Sequence, residues 1–255
     1  MDRPFPRLHV VTDTRPGRRP LDVVSAAITA ARGAGVTDHL AVQVRVEDSF
    51  TDRQAYELTV ATLALCRPAG VLCLVNDRLQ VALATGADGC HVGADDLPVA
   101  VVRQVLDAFA AGVTKAGVAG AGVAGAGVAG TGGRGAEAAG CRWRPVLGAT
   151  SRVVGTAREA VAHGATYLGA GPAYGTTTKE GLPAPIGPAG VGAVARAVPG
   201  VPVIAIGGIT TGTVDAVLAA GAHGVAVVGA LSSAADPGRA TAELLAALRA
   251  TPVSA

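Results

Sequence analysis

About eight times along the chain, a short apolar run stops at a glycine or a polar residue and gives way to a stretch with helical spacing. The runs are Leu8–Thr12, Leu40–Val46, Val71–Val75, Gly89–Val92, Pro145–Ala149, Thr166–Ala170, Val203–Ile209 and Val225–Ala230. Each has the length of a buried strand and a breaker at its end. Between them lie predicted helices at Pro20–Arg32, Thr51–Cys66, from after Arg78 to Thr85, from Pro98 onward, to His163, and at Pro188–Val198, Thr213–Ala220 and Pro237–Arg249. The regular alternation predicts an α/β chain closed into a parallel (β/α)8 barrel, the TIM-barrel architecture. A doubly wound open sheet, with one topological switch point and fewer strand–helix units, is the competing architecture.

The 255 residues suit a single domain spanning 1–255. Hydrophobic residues make up 50% and aromatics 3%, so core volume must come from Val, Ala, Leu and Ile, as in a barrel interior. One stretch breaks the pattern. From Gly112 to Gly140 the chain is low in complexity, and Ala-Gly-Val-Ala-Gly recurs from Ala116 to Gly130. Glycine that frequent neither holds a helix nor packs a core, so the expectation is a disordered Gly/Ala-rich insertion between helix 4 and strand 5.

A net charge of +2 leaves no electrostatic footprint for nucleic acid. There is no long apolar run for a membrane span and no signal-peptide pattern. Cys66, Cys73, Cys90 and Cys141 fit no C-x-x-C spacing, so reduced thiols and a cytoplasmic location are expected. The sequence leaves open assembly into a homo-oligomer.

In such a barrel the chemistry sits at the carboxyl ends of the strands. Those ends carry Gln43, Arg45 and Glu47; Asn76 and Asp77; Asp95 and Asp96; Thr150 and Ser151; then Gly207-Gly208 and Gly229. Strand 6 leads through Gly171-Pro172 into Thr176-Thr-Thr-Lys179, three hydroxyls and a cation suited to phosphate oxygens. Two separated carboxylates beside phosphate donors have the composition of a Mg²⁺ and pyrophosphate site. Taken singly, Asp77 and Asp96 could equally cap the helices that follow them.

Five stretches carry a resemblance: Gln43-Val-Arg-Val-Glu47, Val75-Asn-Asp-Arg78, His91-Val-Gly-Ala-Asp-Asp96, Gly171-Pro-Ala-Tyr-Gly-Thr-Thr-Thr-Lys179 and Ile206-Gly-Gly-Ile209. In this order they resemble the motifs of the thiamine phosphate synthase family, over nearly the whole chain outside Gly112–Gly140. The resemblance implies a transferase. It would join 4-amino-2-methyl-5-(diphosphomethyl)pyrimidine to a thiazole phosphate, release pyrophosphate, use Mg²⁺ and act dissociatively. By the same resemblance Asp77 and Asp96 hold the metal, while Arg45, Asn76 and Lys179 bind the pyrophosphate. Gln43 orients the pyrimidine and Thr150 sits near the reacting carbon, so Arg45, Lys179 and Thr150 form the catalytic set. Thr176, Thr178, Gly208 and Gly229 hold the thiazole phosphate. The expected partners are these small molecules, with no nucleic acid and no membrane.

Three positions depart from the family pattern. Glu47 stands where the family has Lys, Gly175 where it usually has Pro, and Arg152 where the related thiazole tautomerases place His. Arg152 argues against the tautomerase activity. Glu47 keeps a second reading open, a catalytically weakened homologue that binds thiazole phosphate or thiamine phosphate without turnover. A third is a barrel enzyme for a sugar phosphate, with no use for Gln43 or the Asp77/Asp96 pair. None of the five histidines is assigned a role.

Overall fold

The computed structural model describes residues 4–116, 145–179 and 181–251. Strands β1 (Leu8–Val11), β2 (Leu40–Val44), β3 (Leu72–Asn76), β4 (Gly89–Val92), β5 (Val146–Thr150), β6 (Tyr167–Ala170), β7 (Val203–Ile206) and β8 (Gly224–Val227) form one closed parallel barrel in chain order. Pairing of Leu8 with Val225 closes the ring. The helices are α1 (Pro20–Gly33), α2 (Asp52–Cys66), α3 (Leu79–Thr85), α4 (Val99–Ala116), α5 (Val154–Ala162), α6 (Gly187–Ala197), α7 (Val214–Ala219), α8 (Gly229–Ser232) and α9 (Pro237–Ala250). The architecture is therefore the expected (β/α)8 barrel rather than the open sheet.

Local chemistry sets the boundaries. Thr51 and Gln54 form a reciprocal capping box that starts α2. The Asp236 side chain accepts from the Arg239 amide at the start of α9. Gly86, left-handed at φ 65°, ends α3. Apolar side chains alternate along each strand and build two layers. Leu8, Val10, Leu40 and Val42 face outward and pack with helix residues such as Val24, Ile28, Leu244 and Leu248. Each fully buried Leu contributes roughly 1.5–3 kcal/mol relative to exposure. Val11, Leu74, Tyr167, Ile204 and Ala226 fill the interior of the barrel. Gly148 makes room there: a Cβ on it would lie 2.2 Å from the Tyr167 ring and 2.4 Å from His91 Nδ1.

Four boundaries differ from the sequence reading by more than one residue. Helix α4 continues through Gly112 to Ala116, into the stretch read as insertion, because one glycine in a long amphipathic helix costs only about 1 kcal/mol. Residues 117–144, which hold the rest of the predicted insertion and Cys141, lie outside the described residues. Strand β7 ends at Ile206, since Gly207 and Gly208 take φ of 91° and 66° and leave the extended region. Strand β8 ends at Val227, and the expected strand residues Gly229 and Ala230 instead open the four-residue helix α8. Strand β2 ends at Val44, so Arg45 and Glu47 stand just beyond it.

Candidate active site

The carboxyl ends of the strands gather most of the predicted residues at one mouth. At the end of β3, Asp77 sits at φ 62°, a left-handed backbone that a non-glycine residue rarely adopts. Its carboxylate accepts from the Asn76 amide at 2.5 Å. It does not cap α3: the cap position is Arg78, which makes no side-chain capping bond. Beyond β4, Asp96 folds back so that its Oδ2 accepts from the Gly93 amide at 2.7 Å. The two carboxyls crowd each other. Burial first, and then the Asp96 carboxylate, push the Asp77 acid up to about 7, against the pull of Lys179. A pair of carboxylates that resist joint ionisation is a donor set that a divalent cation relieves. Among the described residues no third His, Cys, Asp or Glu joins them. That fits Mg²⁺, which keeps water and substrate oxygens in the rest of its shell.

Gln43 is buried within the barrel and donates from Nε2 to the Tyr167 hydroxyl at 3.3 Å. Tyr167 lies 2.9 Å from His91 Nδ1, and His91 Nε2 lies 3.0 Å from Thr150 Oγ1. The direction of this chain follows from its ends. An amide nitrogen only donates, so the Tyr167 hydroxyl accepts from Gln43 and donates its own O–H to His91 Nδ1. Burial holds His91 down at about 4 and therefore neutral. Its single proton then sits on Nε2 and is donated to Thr150. The Thr150 hydroxyl keeps its own proton for another acceptor. His91 and Tyr167 were not singled out in the sequence, and the H-V-G motif around His91 was the available signal.

The loop after β6 arches over the mouth. Thr176 and Thr178 share a hydroxyl–hydroxyl bond of 3.0 Å. A Cβ on Gly229 would meet the Thr178 methyl at 3.1 Å, so the loop reaches the end of β8. Gly208 lies beneath the loop's start, where a Cβ would be 2.6 Å from the Gly175 carbonyl oxygen. Lys179 is exposed and acts on Asp77 and His91 through space. Arg45 Nη1 donates to the Thr178 carbonyl at 3.4 Å, and Arg45 Nη2 pairs with Glu47 Oε1 at 3.4 Å. That oxygen is buried and has no hydrogen bond among the described residues. Arg152 turns away, donating to the Ala184 carbonyl at 2.5 Å. An open groove between α1 and α9, lined by Ser25, Thr29, Asp236 and Arg239, lies on the outer wall and brings no such chemistry together.

A model of the family described as thiamine monophosphate synthase matches residues 8–130 and 137–231. The chain belongs to that family. The thiamine-phosphate synthase of Salinispora arenicola is 52% identical over 242 residues, 95% of this chain and 97% of its own. That of Chloroflexus aurantiacus is 37% identical over 96% of this chain and 94% of its own. Among solved structures, thiamine phosphate pyrophosphorylase from Pyrococcus furiosus superposes with a TM-score of 0.72 at 28% identity, covering 96% of each chain. A 3-hexulose-6-phosphate synthase from Salmonella typhimurium, 15% identical with a TM-score of 0.60 over 96% of this chain and 100% of its own, shares the barrel alone. The chain is thus an enzyme of the thiamine monophosphate synthase family.

Proposed function

We propose that the chain, working as one barrel unit, joins 4-amino-2-methyl-5-(diphosphomethyl)pyrimidine to a thiazole phosphate and releases thiamine phosphate and pyrophosphate. The observation that carries this reading is the crowded Asp77/Asp96 carboxyl pair, which Lys179 reaches through space, at the mouth where Arg45 also meets the Thr178 carbonyl of the loop after β6. The C–O bond between the pyrimidine methylene and the diphosphate breaks, and the electron pair leaves with the diphosphate. The thiazole nitrogen then attacks the methylene cation and forms the C–N bond. Asp77 and Asp96 would hold Mg²⁺, which supplies neutralisation of the charge gathering on the leaving diphosphate. Arg45 and Lys179 do the same from the protein side, prepositioned where the charge develops. Gln43 gives its amide nitrogen to Tyr167, which leaves its carbonyl oxygen as the acceptor for an aminopyrimidine. Thr150, its proton directed outward by His91, donates near the departing oxygen. The Thr176–Thr178 pair and the backbone at Gly208 and Gly229 form the thiazole phosphate end. The buried free thiols of Cys66, Cys73 and Cys90 support a reducing cytoplasm as the setting.

Glu47 is the feature that favours a binder without turnover. Its pairing with Arg45 supports the enzyme reading instead, because the carboxylate is balanced by a neighbouring cation. A coupling assay with the two precursors, with and without Mg²⁺, tests the proposal. Formation of thiamine phosphate only with the divalent ion is expected, and binding of both precursors with no product would establish the second reading.

A further inference from the structure

Beyond β1 stands a charged cluster that the reaction scheme above does not use. Asp13 has 1% side-chain exposure and takes both Nε and Nη2 of Arg15, at 2.9 and 2.8 Å. It also accepts from the Ser232 hydroxyl of α8 at 2.6 Å and pairs with Arg18 at 3.5 Å. Burial raises the Asp13 acid, but the hydrogen bonds from Arg15 and Ser232 outweigh it and hold it down at about 2. We propose that Arg15 is a further anion-binding residue of this site and grips the leaving diphosphate beside Arg45. The proposal rests on the functional reading above and adds a residue to it.

Arg15 is already ordered. The fork held by Asp13 fixes the guanidinium plane, so little side-chain freedom is left to lose on binding. The remaining nitrogen, Nη1, points the other way and reaches the Thr177 carbonyl at 3.2 Å. Arg45 Nη1 reaches the next carbonyl, Thr178, at 3.4 Å. Two guanidinium groups from neighbouring strands therefore converge under one loop. Both bonds are long, neutral-acceptor bonds, and a phosphate oxygen offers a stronger, charge-assisted one. Glu47 acts on both arginines, through the 3.4 Å pair with Arg45 and more weakly through space on Arg15. A carboxylate thus already rests against one of these two cations.

Charge balance argues the same way. Across the rest of the mouth, Arg45 and Lys179 face Glu47, Asp77 and Asp96, so carboxylates outnumber cations. Asp13 is shared between Arg15 and Arg18, which leaves one positive charge in excess. That excess is available to a diphosphate in addition to the metal, and Arg15 is the member that faces the loop.

The test is calorimetric titration of the full chain with inorganic pyrophosphate and, separately, thiazole phosphate, both in MgCl₂. Arg15→Gln is expected to weaken pyrophosphate binding tenfold or more and thiazole phosphate binding less than threefold. Arg15→Lys keeps a charge beside Asp13 without the fork, and is expected to fall between; it carries the test if Arg15→Gln does not fold. Unchanged pyrophosphate affinity in the folded variants, or a wild-type chain that does not bind pyrophosphate, overturns the proposal. A loss confined to thiazole phosphate overturns it too, by moving the residue to the other substrate. If the wild type fails to couple the precursors while Arg15→Gln still lowers pyrophosphate affinity, the functional reading fails and the anion site stands.

Discussion

The Nε2 of His91 lies 3.0 Å from the hydroxyl oxygen of Thr150, and the opposite ring nitrogen lies 2.9 Å from the hydroxyl of Tyr167. Thr150→Val removes the donor itself and is expected to lower kcat about tenfold to a hundredfold, the range for one or two lost hydrogen bonds of roughly 1–1.5 kcal/mol each. Tyr167→Phe leaves Thr150 in place but frees the His91 proton to sit on either nitrogen. A smaller loss of about threefold to tenfold is expected, with KM for thiazole phosphate unchanged in both. Steady-state kinetics decide it, and equal rates for all three proteins would remove the relay from catalysis.

Asp77 combines a left-handed backbone with a carboxyl pushed up to about 7. A raised folded pKa means stability that is complete below the unfolded value near 4 and lost as the pH rises through about 7. Asp77→Asn removes that loss, and Asn tolerates the same φ. The variant is expected to melt a few degrees higher than the wild type at pH 8 without divalent ions, and to show no turnover. Adding Mg²⁺ should raise the wild-type melting temperature and leave the variant's unchanged. A thermal scan in which Mg²⁺ stabilises both alike would take the metal away from Asp77.

Glu47 holds a negative charge 3.4 Å from Arg45, a residue proposed to bind the diphosphate. A unit charge about 6 Å from an anion costs roughly 1–3 kcal/mol at an effective dielectric of 20–50, and the Arg45 pairing reduces it. Glu47→Gln keeps the shape and removes the charge. The expected result is a threefold to tenfold tighter inorganic pyrophosphate, read by calorimetry. Weaker pyrophosphate binding would mean instead that the carboxylate is needed to orient Arg45.

His9 is buried inside the barrel, and neither ring nitrogen has a hydrogen-bond partner among the described residues. The Pro6 carbonyl lies near enough to favour the charged ring, yet burial and the neighbouring His91 hold His9 down at about 3. The folded protein therefore refuses a proton that the unfolded chain accepts, and stability falls as the pH drops from about 6.5 towards 3. His9→Leu is expected to raise the melting temperature by several degrees at pH 7, since an unsatisfied buried polar group costs roughly 1–3 kcal/mol. It should also flatten the fall between pH 6.5 and 4. A variant that melts lower at pH 7 would show that the ring has an unseen partner.

The strand count, the barrel and the polar set at the strand ends were legible in the sequence, for a local reason. Each strand is a short apolar run, and each run stops at a residue whose backbone or side chain cannot continue it. Thus Asn76-Asp77 and Thr150 mark their own strand ends, whereas the run read to Ile209 stops at Ile206, before the left-handed Gly207-Gly208. The family motifs lie at those same ends, so one signal pointed to both the fold and the candidate site. What only the tertiary structure decided is how residues far apart in the chain face each other. Arg15 and Thr177 are separated by 162 residues, and Gln43 and Tyr167 by 124. Nothing local in Asp13-Thr-Arg15 distinguishes a surface ion pair from a cation set under the loop after β6. The difference comes from closing β1 against β8, which brings Ser232 onto Asp13. In the same way His9, His91 and Tyr167 each sit in an apolar strand, and the sequence alone does not say which face of it turns inward. Closure of the barrel puts His91 between a tyrosine and a threonine and His9 among rings with nothing to bond, giving two histidines of similar setting opposite consequences.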